Sequence, residues 1–239
     1  MKRDFYISVA MATYNGEKYI KEQLDSIIKQ LGKNDEVIIS DDGSTDSTID
    51  IINSYIKKDR RIKLFLGPKN GVKQNYANAI SHCSGKYIFL SDQDDVWNEK
   101  KVNIVLKTFT SSKCTCVVHN ANIVDEKLNK TGKTFFEYRK SGKGKIKNIV
   151  KNTYIGCCMA FDKCLVNKVL PIPNDIEMHD QWIGLLSEKY GKSIFINDCL
   201  VEYRRHDNNV SSMKHYPFRK MVKNRITIIK RYICEKGNE

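Results

Sequence analysis

The chain has 239 residues, of which 41% are apolar, and carries a formal net charge of +13. This length and composition fit one large globular domain or one domain with a tail. No run approaches the roughly 20 apolar residues that span a bilayer, and residues 1–4 lead into a strand pattern instead of a signal sequence. We therefore expect a cytoplasmic protein. The positive charge predicts an anionic partner: a nucleotide diphosphate, a phospholipid surface or nucleic acid.

Strand and helix patterns alternate along the first 90 or so residues. Short apolar runs at 6–12, 37–39, 62–66 and 87–90 predict strands. An apolar stripe with helical spacing follows each of the first three strands, and Gly32 should end the first of these helices. Three successive strand-helix units predict an α/β fold, with a mostly parallel central sheet and helices on both faces.

The second half of the sequence is less regular. A strand is predicted at 116–119, a helix at 178–190 and a further strand at 193–203. Residues 140–147 are rich in Gly and Lys and predict a flexible loop. We find neither an internal repeat nor a clear second core.

The eight Cys residues lack paired C-x-x-C spacing and lie largely in apolar segments. We interpret them as reduced packing residues. The alternative is a zinc site that combines some of them with His82 or His119, although no ligand spacing recurs.

Three carboxylates lie close together at Asp92, Asp94 and Asp95, directly after the fourth predicted strand. Because ligands bind at the carboxyl ends of the strands in such sheets, this cluster should meet residues 13–14 and 41–42 in one crevice. Like charges this close repel one another, and an oxygen-rich strand end is a usual place to hold a divalent cation against a phosphate. The simpler interpretation is that Asp95 caps a helix, but this would need only one carboxylate.

Six short motifs follow the predicted strands or begin the later helix. They are Thr13-Tyr14-Asn15, Asp41-Asp42-Gly43-Ser44-Thr45-Asp46, Asn70-Gly71, Ser91-Asp92-Gln93-Asp94-Asp95-Val96-Trp97, His179-Asp180-Gln181-Trp182 and Tyr203-Arg204-Arg205-His206. Each motif alone is weak, but from Ile7 to about Ser212 their order resembles the family 2 glycosyltransferases with the A-type nucleotide-sugar fold (GT-A), particularly bacterial rhamnosyltransferase-like members. The resemblance implies a transferase domain over 1–212, with a nucleotide-binding half (1–97) and an acceptor-binding half (98–212), and a basic C-terminal helix over 213–239.

The resemblance also implies a donor site at the strand ends. Ala12, Tyr14 and Asp42 would surround the base and ribose of a uridine- or thymidine-type nucleotide. Asp94 would bind Mn²⁺ or Mg²⁺, with His206 beside the metal, and the cation would stabilise charge on the departing diphosphate. The other residues assigned to the donor are Asn70, Gly71, Asp92 and Gln93. Arg204 and Arg205 are assigned to its phosphates, for which a solvated basic turn is the alternative.

By the same resemblance, Asp180 is the base that takes the proton from the acceptor hydroxyl as this group attacks the anomeric carbon. A single displacement would invert the configuration at that carbon. Asp180 lies at the start of the predicted helix, whose dipole should lower its pKa and keep it ionised. The residues assigned to the acceptor side are Asp95, Trp97, His179 and Trp182, although a Trp at this helical spacing is equally typical of a core.

The resemblance thus implies an inverting transfer of sugar from a UDP- or dTDP-linked donor to a glycan or polyprenyl-linked glycan in surface polysaccharide biosynthesis. A dehydrogenase would suit the first strand-helix units, but the turn after the first strand lacks G-x-G-x-x-G. A basic nucleic-acid-binding module would suit the charge, yet it leaves the carboxylate cluster unexplained. We therefore expect no nucleic acid partner.

From Phe218 onward, apolar residues recur with helical spacing, and Lys or Arg fills the other faces. This pattern predicts a basic amphipathic helix. Such a helix either packs its apolar stripe on the domain or contacts an anionic membrane. The second alternative would place the protein at the inner face of the cell membrane.

Overall fold

The computed structural model of the chain describes residues 5–207, 209 and 217–235. Within these residues, nine strands join into one sheet. In chain order the strands are β1 Ile7–Thr13, β2 Glu36–Asp41, β3 Ile62–Leu66, β4 Tyr87–Ser91, β5 Val96–Trp97, β6 Cys116–Val124, β7 Lys130–Thr134, β8 Met159–Asp162 and β9 Ser193–Arg204. The α-helices are α1 Ile20–Ile28, α2 Thr48–Ile56, α3 Val72–Ser81, α4 Lys101–Ser112, α5 Phe135–Arg139, α6 Lys145–Val150, α7 Val166–Val169, α8 His179–Tyr190 and α9 Phe218–Cys234.

The first half forms the parallel part of the sheet. A helix follows each of β1, β2 and β3 and returns the chain to the start of the next strand, so these strands and β4 pair in parallel in the order β3-β2-β1-β4. The sheet continues as β8-β6-β9-β5, in which β8 and β5 run antiparallel to their neighbours and β6 pairs in parallel with β9. Strand β7 pairs only with β6. The prediction of an α/β fold with a mostly parallel sheet is confirmed.

The sheet separates two apolar clusters, one on each face. Because side chains alternate along a strand, Val9 and Met11 of β1 join the first cluster, whereas Ala10 and Ala12 join the second. Helices α1, α2 and α4 cover the first face, and α3 and α8 cover the second. Both clusters therefore belong to one domain core that the sheet divides.

The ends of β1, β2 and β4 lie at the same edge of the sheet. Thr13 is in register with Asp41, and Met11 is in register with Ser91. The carboxylates that follow β4 therefore emerge beside the loops that follow β1 and β2. This is the crevice in which open α/β sheets bind ligands.

Two local expectations differ from the structure. Helix α1 ends at Ile28, before Gly32. Residues 140–147 are not wholly a loop, because α6 begins at Lys145. The buried Asn148 side chain donates to the carbonyl oxygens of Gly142 and Gly144 at 3.0 and 3.1 Å, so a single amide orders this Gly- and Lys-rich segment.

The apolar stripe that the sequence predicts on helix α9 contains Met221, Val222, Ile226, Ile229 and Ile233, and the residue that the structure buries, Ile228, is not part of it. Ile228 is buried against the domain, and Lys189 of α8 donates to the Tyr232 carbonyl. Ile226 and Ile233, by contrast, are exposed. The predicted domain boundary between residues 212 and 213 lies outside the described residues. Among the described helices, none combines the length and apolar character needed to cross a bilayer.

Candidate active site

A cleft with a volume of about 1140 Å³ opens at the carboxyl edge of the parallel strands. Residues from both halves of the chain line it. The residues predicted from the sequence that line this cleft are Ala12, Tyr14, Asp42, Gly71, Asp92, Gln93, Asp94, His179, Asp180, Arg205 and His206. The predicted residues that do not line it are Asn70, Asp95, Trp97, Trp182 and Arg204.

Two consecutive aspartates at the end of β2 have different contacts. The Asp41 carboxylate is buried and accepts the backbone N–H groups of Gly43 and its neighbour, so it shapes the turn. The Asp42 carboxylate lines the cleft and accepts the N–H groups of Gly71 at 2.8 Å and Asn70 at 3.3 Å. Asn70 thus supports Asp42 through its backbone, which corrects the expectation that it contacts the donor directly.

Gln93 joins the loop after β4 to the loop after β1. Its amide accepts the Tyr14 N–H and donates to the Tyr14 carbonyl, each at 2.9 Å. Gly16 makes room for this contact, because a Cβ atom there would lie 2.3 Å from Gln93 Oε1. The reciprocal pair fixes the backbone of Tyr14 and leaves 56% of Tyr14 exposed at the cleft.

Asp92 is a partly buried carboxyl group at the base of the cleft. The Tyr76 hydroxyl donates to its Oδ1 at 2.6 Å. Burial and, after it, the nearby charge of Asp94 raise the pKa of Asp92 to about 7. Asp92 is therefore a good hydrogen-bonding group for a polar ligand near neutral pH.

Asp94 and His206 meet across the cleft from different ends of the chain. Asp94 Oδ2 lies 2.8 Å from His206 Nε2 and accepts a hydrogen bond from the Asn209 amide at 3.0 Å. The His206 ring stacks on Tyr19, with ring centroids 4.8 Å apart. The carboxylate oxygen and the imidazole nitrogen therefore form a hydrogen-bonded pair at the cleft, and both are atoms of types that bind divalent cations.

Arg204 holds this arrangement in place from the interior. It is only 3% exposed, and its guanidinium donates to the carbonyl oxygens of Asp94 and Glu126 and to the Glu22 carboxylate. Its donors are thus used within the protein. This finding corrects the expectation that Arg204 contacts phosphate, whereas Arg205 does line the cleft and donates to the Tyr203 hydroxyl.

A second acidic group lies behind the cleft. Ligand atoms of Asp92, Asp95 and Cys157 lie within 4.8 Å of one another. Burial raises the pKa of Asp95 well above its usual range, and the charges of Asp94 and Asp92 raise it further. The fully buried ammonium of Lys101 lies beside this group and donates to the Cys157 carbonyl at 2.8 Å. The chain therefore supplies positive charge to this interior cluster.

The placement of Asp95 and Trp97 corrects their assignment to the acceptor side. Asp95 is fully buried, and its Oδ1 accepts the Arg204 N–H at 3.0 Å, so it joins the loop after β4 to the end of β9. Trp97 is 4% exposed and packs near Phe89. The Lys101 ammonium lies over its ring, 3.7 Å from the ring centroid. Both side chains support the site from the core because β5 pairs with β9.

Asp180 lies at the first turn of α8 and is 6% exposed. Its Oδ1 accepts the Asn152 amide at 2.9 Å and the Gln181 N–H at 2.6 Å, while Oδ2 has no hydrogen-bond partner in the described part of the chain. Burial raises the pKa of Asp180 to about 6, although these hydrogen bonds and the charge of Arg139 act against it. The expectation that the helix dipole would lower this pKa is therefore wrong, because desolvation outweighs the dipole.

His179 and Trp182, which belong to the same motif as Asp180, have different positions. His179 lines the cleft and stacks on Tyr76 at a centroid distance of 4.1 Å. Burial lowers the pKa of His179 to about 3, and the charge of Lys73 adds to this, so the ring is neutral. Trp182 instead lies in the core, where its Nε1 donates to the Val169 carbonyl at 2.9 Å. Trp182 therefore does not form a wall of the acceptor pocket, contrary to the assignment made from the sequence.

Among the site residues that were not predicted from the sequence, Asn152 and Arg139 line the cleft, whereas Tyr76 is buried beside it. Tyr76 was assigned only to the apolar stripe of α3, and the hydroxyl that contacts Asp92 gives no signal in a hydropathy pattern. Arg139 precedes the Gly- and Lys-rich segment and Asn152 follows it, and no sequence motif marks either residue. Arg139 donates to the Asn152 carbonyl at 3.1 Å, and its buried Nε has no partner among the described residues.

Comparisons with known proteins identify the family of the chain. Residues 8–170 match the family model described as glycosyl transferase family 2. The dTDP-rhamnosyl transferase RfbG of Shigella flexneri is 31% identical, over 83% of this chain and 72% of its own. WfgD of Escherichia coli, a UDP-Glc:alpha-D-GlcNAc-diphosphoundecaprenol beta-1,3-glucosyltransferase, is 26% identical over 88% of this chain and 81% of its own.

The fold also recurs in solved structures. The crystal structure of S. aureus TarS 1-349 in complex with UDP-GlcNAc matches 98% of this chain and 68% of that chain, with a TM-score of 0.74 at 17% identity. At this identity the likeness concerns the fold, which is that of a nucleotide-sugar transferase of the GT-A type. With the family model covering more than half of its residues, the chain belongs to glycosyl transferase family 2 and is a glycosyltransferase.

Proposed function

We propose that this glycosyltransferase is an inverting enzyme that moves a sugar from a UDP- or dTDP-linked donor to a hydroxyl group of a lipid-linked glycan. The observation that carries the proposal is that Asp42, Asp94 and Asp180, which come from three distant parts of the sequence, line one cleft. The names of RfbG and WfgD support the two nucleotide classes, and that of WfgD supports a diphospholipid acceptor. A nucleic-acid-binding module is not favoured, because the acidic cleft would repel a polyanion.

In this proposal Asp180 is the general base. Its Oδ1 is held by Asn152, which leaves Oδ2 to accept the proton of the attacking hydroxyl. A pKa of about 6 makes the group more basic than an ordinary aspartate, while it remains largely ionised at pH 7. Attack from this side, opposite the leaving diphosphate, inverts the anomeric carbon. Neutral His179, beside the base, contributes to the wall of the acceptor pocket.

The donor binds at the other end of the cleft. Asp42 accepts the base imide N–H, and the backbone that Gln93 fixes around Tyr14 shapes the nucleoside pocket together with Ala12. Gly71 lies beside Asp42 without a side chain to obstruct the ribose. Asp92 hydrogen-bonds a donor hydroxyl, and the Arg205 guanidinium provides donors for a phosphate oxygen.

Asp94 and His206 would hold a divalent cation, which would replace the proton between Oδ2 and Nε2, the two atoms that now lie 2.8 Å apart at the cleft. A carboxylate oxygen suits Mg²⁺ or Mn²⁺, and the additional imidazole nitrogen favours Mn²⁺. When bound, the cation supplies positive charge that stabilises the nucleoside diphosphate as it leaves. Arg204 and Asn209 keep the two side chains in position for this role.

In this proposal residues 1–97 provide the nucleotide-binding half and residues 98–212 the acceptor-binding half of one domain, followed by the C-terminal helix. Helix α9 makes a peripheral contact with the membrane that carries the acceptor, on its cytoplasmic side. The exposed apolar residues of α9 support this arrangement.

The test is incubation with a panel of UDP- and dTDP-sugars and a diphospholipid-linked sugar acceptor, with the product linkage determined by NMR. We expect one donor to be consumed and its anomeric configuration to be inverted. The Asp180→Asn protein is the matched control, because it keeps the Oδ1 contacts but loses the base. A product with retained configuration, or full transfer by Asp180→Asn, would contradict the proposal.

A further inference from the structure

The exposed apolar side chains of this protein are concentrated on two helices. Nine large apolar residues are exposed in the described part of the chain, and six of them lie on α6 or α9. Ile146 is 81% exposed, Phe218 is 73% exposed and Ile233 is 70% exposed. The six residues are Ile146, Val150, Phe218, Ile226, Ile229 and Ile233. Such a concentration is typical of an interaction surface and not of scattered surface residues.

The two helices are neighbours, and we call their exposed apolar side chains together the α6–α9 surface. The Arg225 guanidinium of α9 donates to the Val150 carbonyl at the end of α6, at 2.7 Å. Ile146 and Val150 are one turn apart and share a face of α6. On α9 the exposed apolar residues follow a helical spacing that turns them away from the buried Ile228.

The two segments that carry this surface have charges of one sign, although Asp175 and Glu177 contact α9 from the rest of the domain. Residues 139–151 contain six Lys or Arg and no Asp or Glu, and the same is true of residues 218–234. Arg219, Lys223 and Lys230 line a shallow groove on α9 together with Phe218 and Ile226. The partner must therefore be anionic and must also accept apolar side chains.

Of an oligonucleotide, a second copy of this chain and a lipid bilayer, only the bilayer meets both conditions. An oligonucleotide offers negative charge but no apolar layer in which Ile and Phe side chains can be buried. A second copy of the same surface would bring positive charge against positive charge. An anionic lipid bilayer offers a charged headgroup layer directly above an apolar one, which suits a basic amphipathic helix.

The surface adjoins the acceptor end of the cleft. Helix α6 leads directly into residues 152–156, most of which line the cleft, and Asn152 among them holds Asp180. On the other side, Asn224 of α9 donates to the Glu177 carboxylate, and Glu177 also lines the cleft. A bilayer in contact with α6 and α9 would thus lie beside the acceptor entrance.

We propose that α6 and α9 together form a membrane-binding surface for an anionic leaflet, with their exposed apolar side chains inserted at the headgroup boundary. α6 is as much a part of this surface as the C-terminal helix. A lipid-linked acceptor in that leaflet then reaches the base from the side of α6. The identity of this acceptor rests on the proposed function, whereas binding to the bilayer does not.

The test is co-sedimentation of the full chain with vesicles rich in phosphatidylglycerol, compared with pure phosphatidylcholine vesicles, at low and high salt. We expect binding to the anionic vesicles only, and weaker binding at high salt. Ile146→Glu on α6 and the double variant Ile226→Glu/Ile233→Glu on α9 should each reduce binding by about tenfold or more. Lys223→Gln/Lys230→Gln should reduce it without any change in apolar area.

Leu66→Glu is the matched control, because Leu66 is also 81% exposed but lies on β3. It should leave vesicle binding unchanged. Unchanged binding of Ile146→Glu would remove α6 from the surface, and equal binding to neutral vesicles or tighter binding to an oligonucleotide would overturn the proposal. So would a dimer in analytical ultracentrifugation that the α9 variant dissociates.

Nucleotide release from the donor, measured without vesicles, separates this proposal from the proposed function. Ile146→Glu should leave donor turnover unchanged, since its side chain does not line the cleft. Vesicle binding by a protein that lacks glycosyl transfer would refute the function and leave the membrane surface standing.

Discussion

Asp180 shows how strongly the surroundings of one carboxyl group decide its chemistry. The sequence correctly placed it at the start of a helix, where the dipole favours the ionised form by a modest amount that falls off within the first turn. The sequence could not show that the group is 6% exposed. Burial raises its pKa to about 6 and thereby makes it a better base.

The pH dependence of turnover should follow this group. With a pKa of about 6, Asp180 is ionised above that value and protonated below it. We expect kcat/KM to fall about tenfold per pH unit as the pH decreases below 6 and to level off above about 7. A profile measured from pH 5 to 9 with saturating Mn²⁺ checks this, and a midpoint near the ordinary value for aspartate would exclude Asp180 as the base.

Asp180→Asn should make the protein more stable at neutral pH. The folded-state pKa of about 6 lies above the ordinary value of 3.8, so the folded state binds more protons between these values and loses stability as the pH rises through them. The asparagine side chain in the variant carries no charge, so it avoids the cost of burying a carboxylate. Its carbonyl oxygen can still accept the hydrogen bond from Asn152. We expect a gain of about 1–3 kcal/mol in the free energy of unfolding at pH 8 and less at pH 4.

Urea denaturation of both proteins at the two pH values measures this difference. Asn152→Ala is a useful comparison, since it removes a hydrogen bond from Oδ1 without removing the charge. Equal stability of wild type and Asp180→Asn at pH 8 would show that burial does not penalise this carboxylate.

At the scale of elements, β9 joins the two halves of the site. It pairs with both β6 and β5, and its last residue, Arg204, reaches the loop after β4. Arg204→Ala should cost about 2–4 kcal/mol of stability, because the carbonyl oxygens of Asp94 and Glu126 lose a buried charged donor. Affinity for Mn²⁺ with nucleotide should also fall, as Asp94 loses its backbone support.

Arg204→Lys should rescue this loss only in part, because an ammonium cannot reproduce three divergent guanidinium contacts. Arg219→Ala on the exposed face of α9 provides the surface control. Denaturation curves measure the loss of stability, and Mn²⁺-dependent thermal shifts measure the loss of metal affinity. Wild-type metal affinity in Arg204→Ala would refute the link between β9 and the cation site.

The elements also show which parts of the fold could be predicted. Strands β1 to β4 and their helices are short local units, and each reveals itself by a compact apolar pattern. β5, by contrast, has only two residues and exists because it pairs with the distant β9. Likewise, α6 depends on the buried Asn148, so composition alone predicted a loop.

The same limit applies to side chains within a correctly placed motif. Trp97, Asp95 and Trp182 lie within three residues of a cleft residue in the sequence, yet each is buried in the core. Neighbouring residues on a strand or helix face different directions, and only tertiary packing shows which one meets the ligand.

At the scale of the whole molecule, the net charge of +13 hides a separation of charge. Carboxylates converge at the cleft, where Asp42, Asp92, Asp94 and Asp180 lie on its wall. Lys and Arg are concentrated at residues 139–151 and 218–234 on the adjoining helices. This arrangement suits a catalyst that holds a cation in its cleft and an anionic surface beside it.

We propose that the cleft separates two roles: Asp42 and Asp94 bind the nucleotide with its cation, and Asp180 performs the transfer. Calorimetric titration of UDP and dTDP with Mn²⁺ into the wild type, Asp42→Ala, Asp94→Asn and Asp180→Asn tests it most directly. We expect Asp42→Ala and Asp94→Asn to weaken binding about tenfold or more, and Asp180→Asn to bind like the wild type while its transfer rate falls about 100-fold. Wild-type nucleotide affinity in both Asp42→Ala and Asp94→Asn would contradict the account.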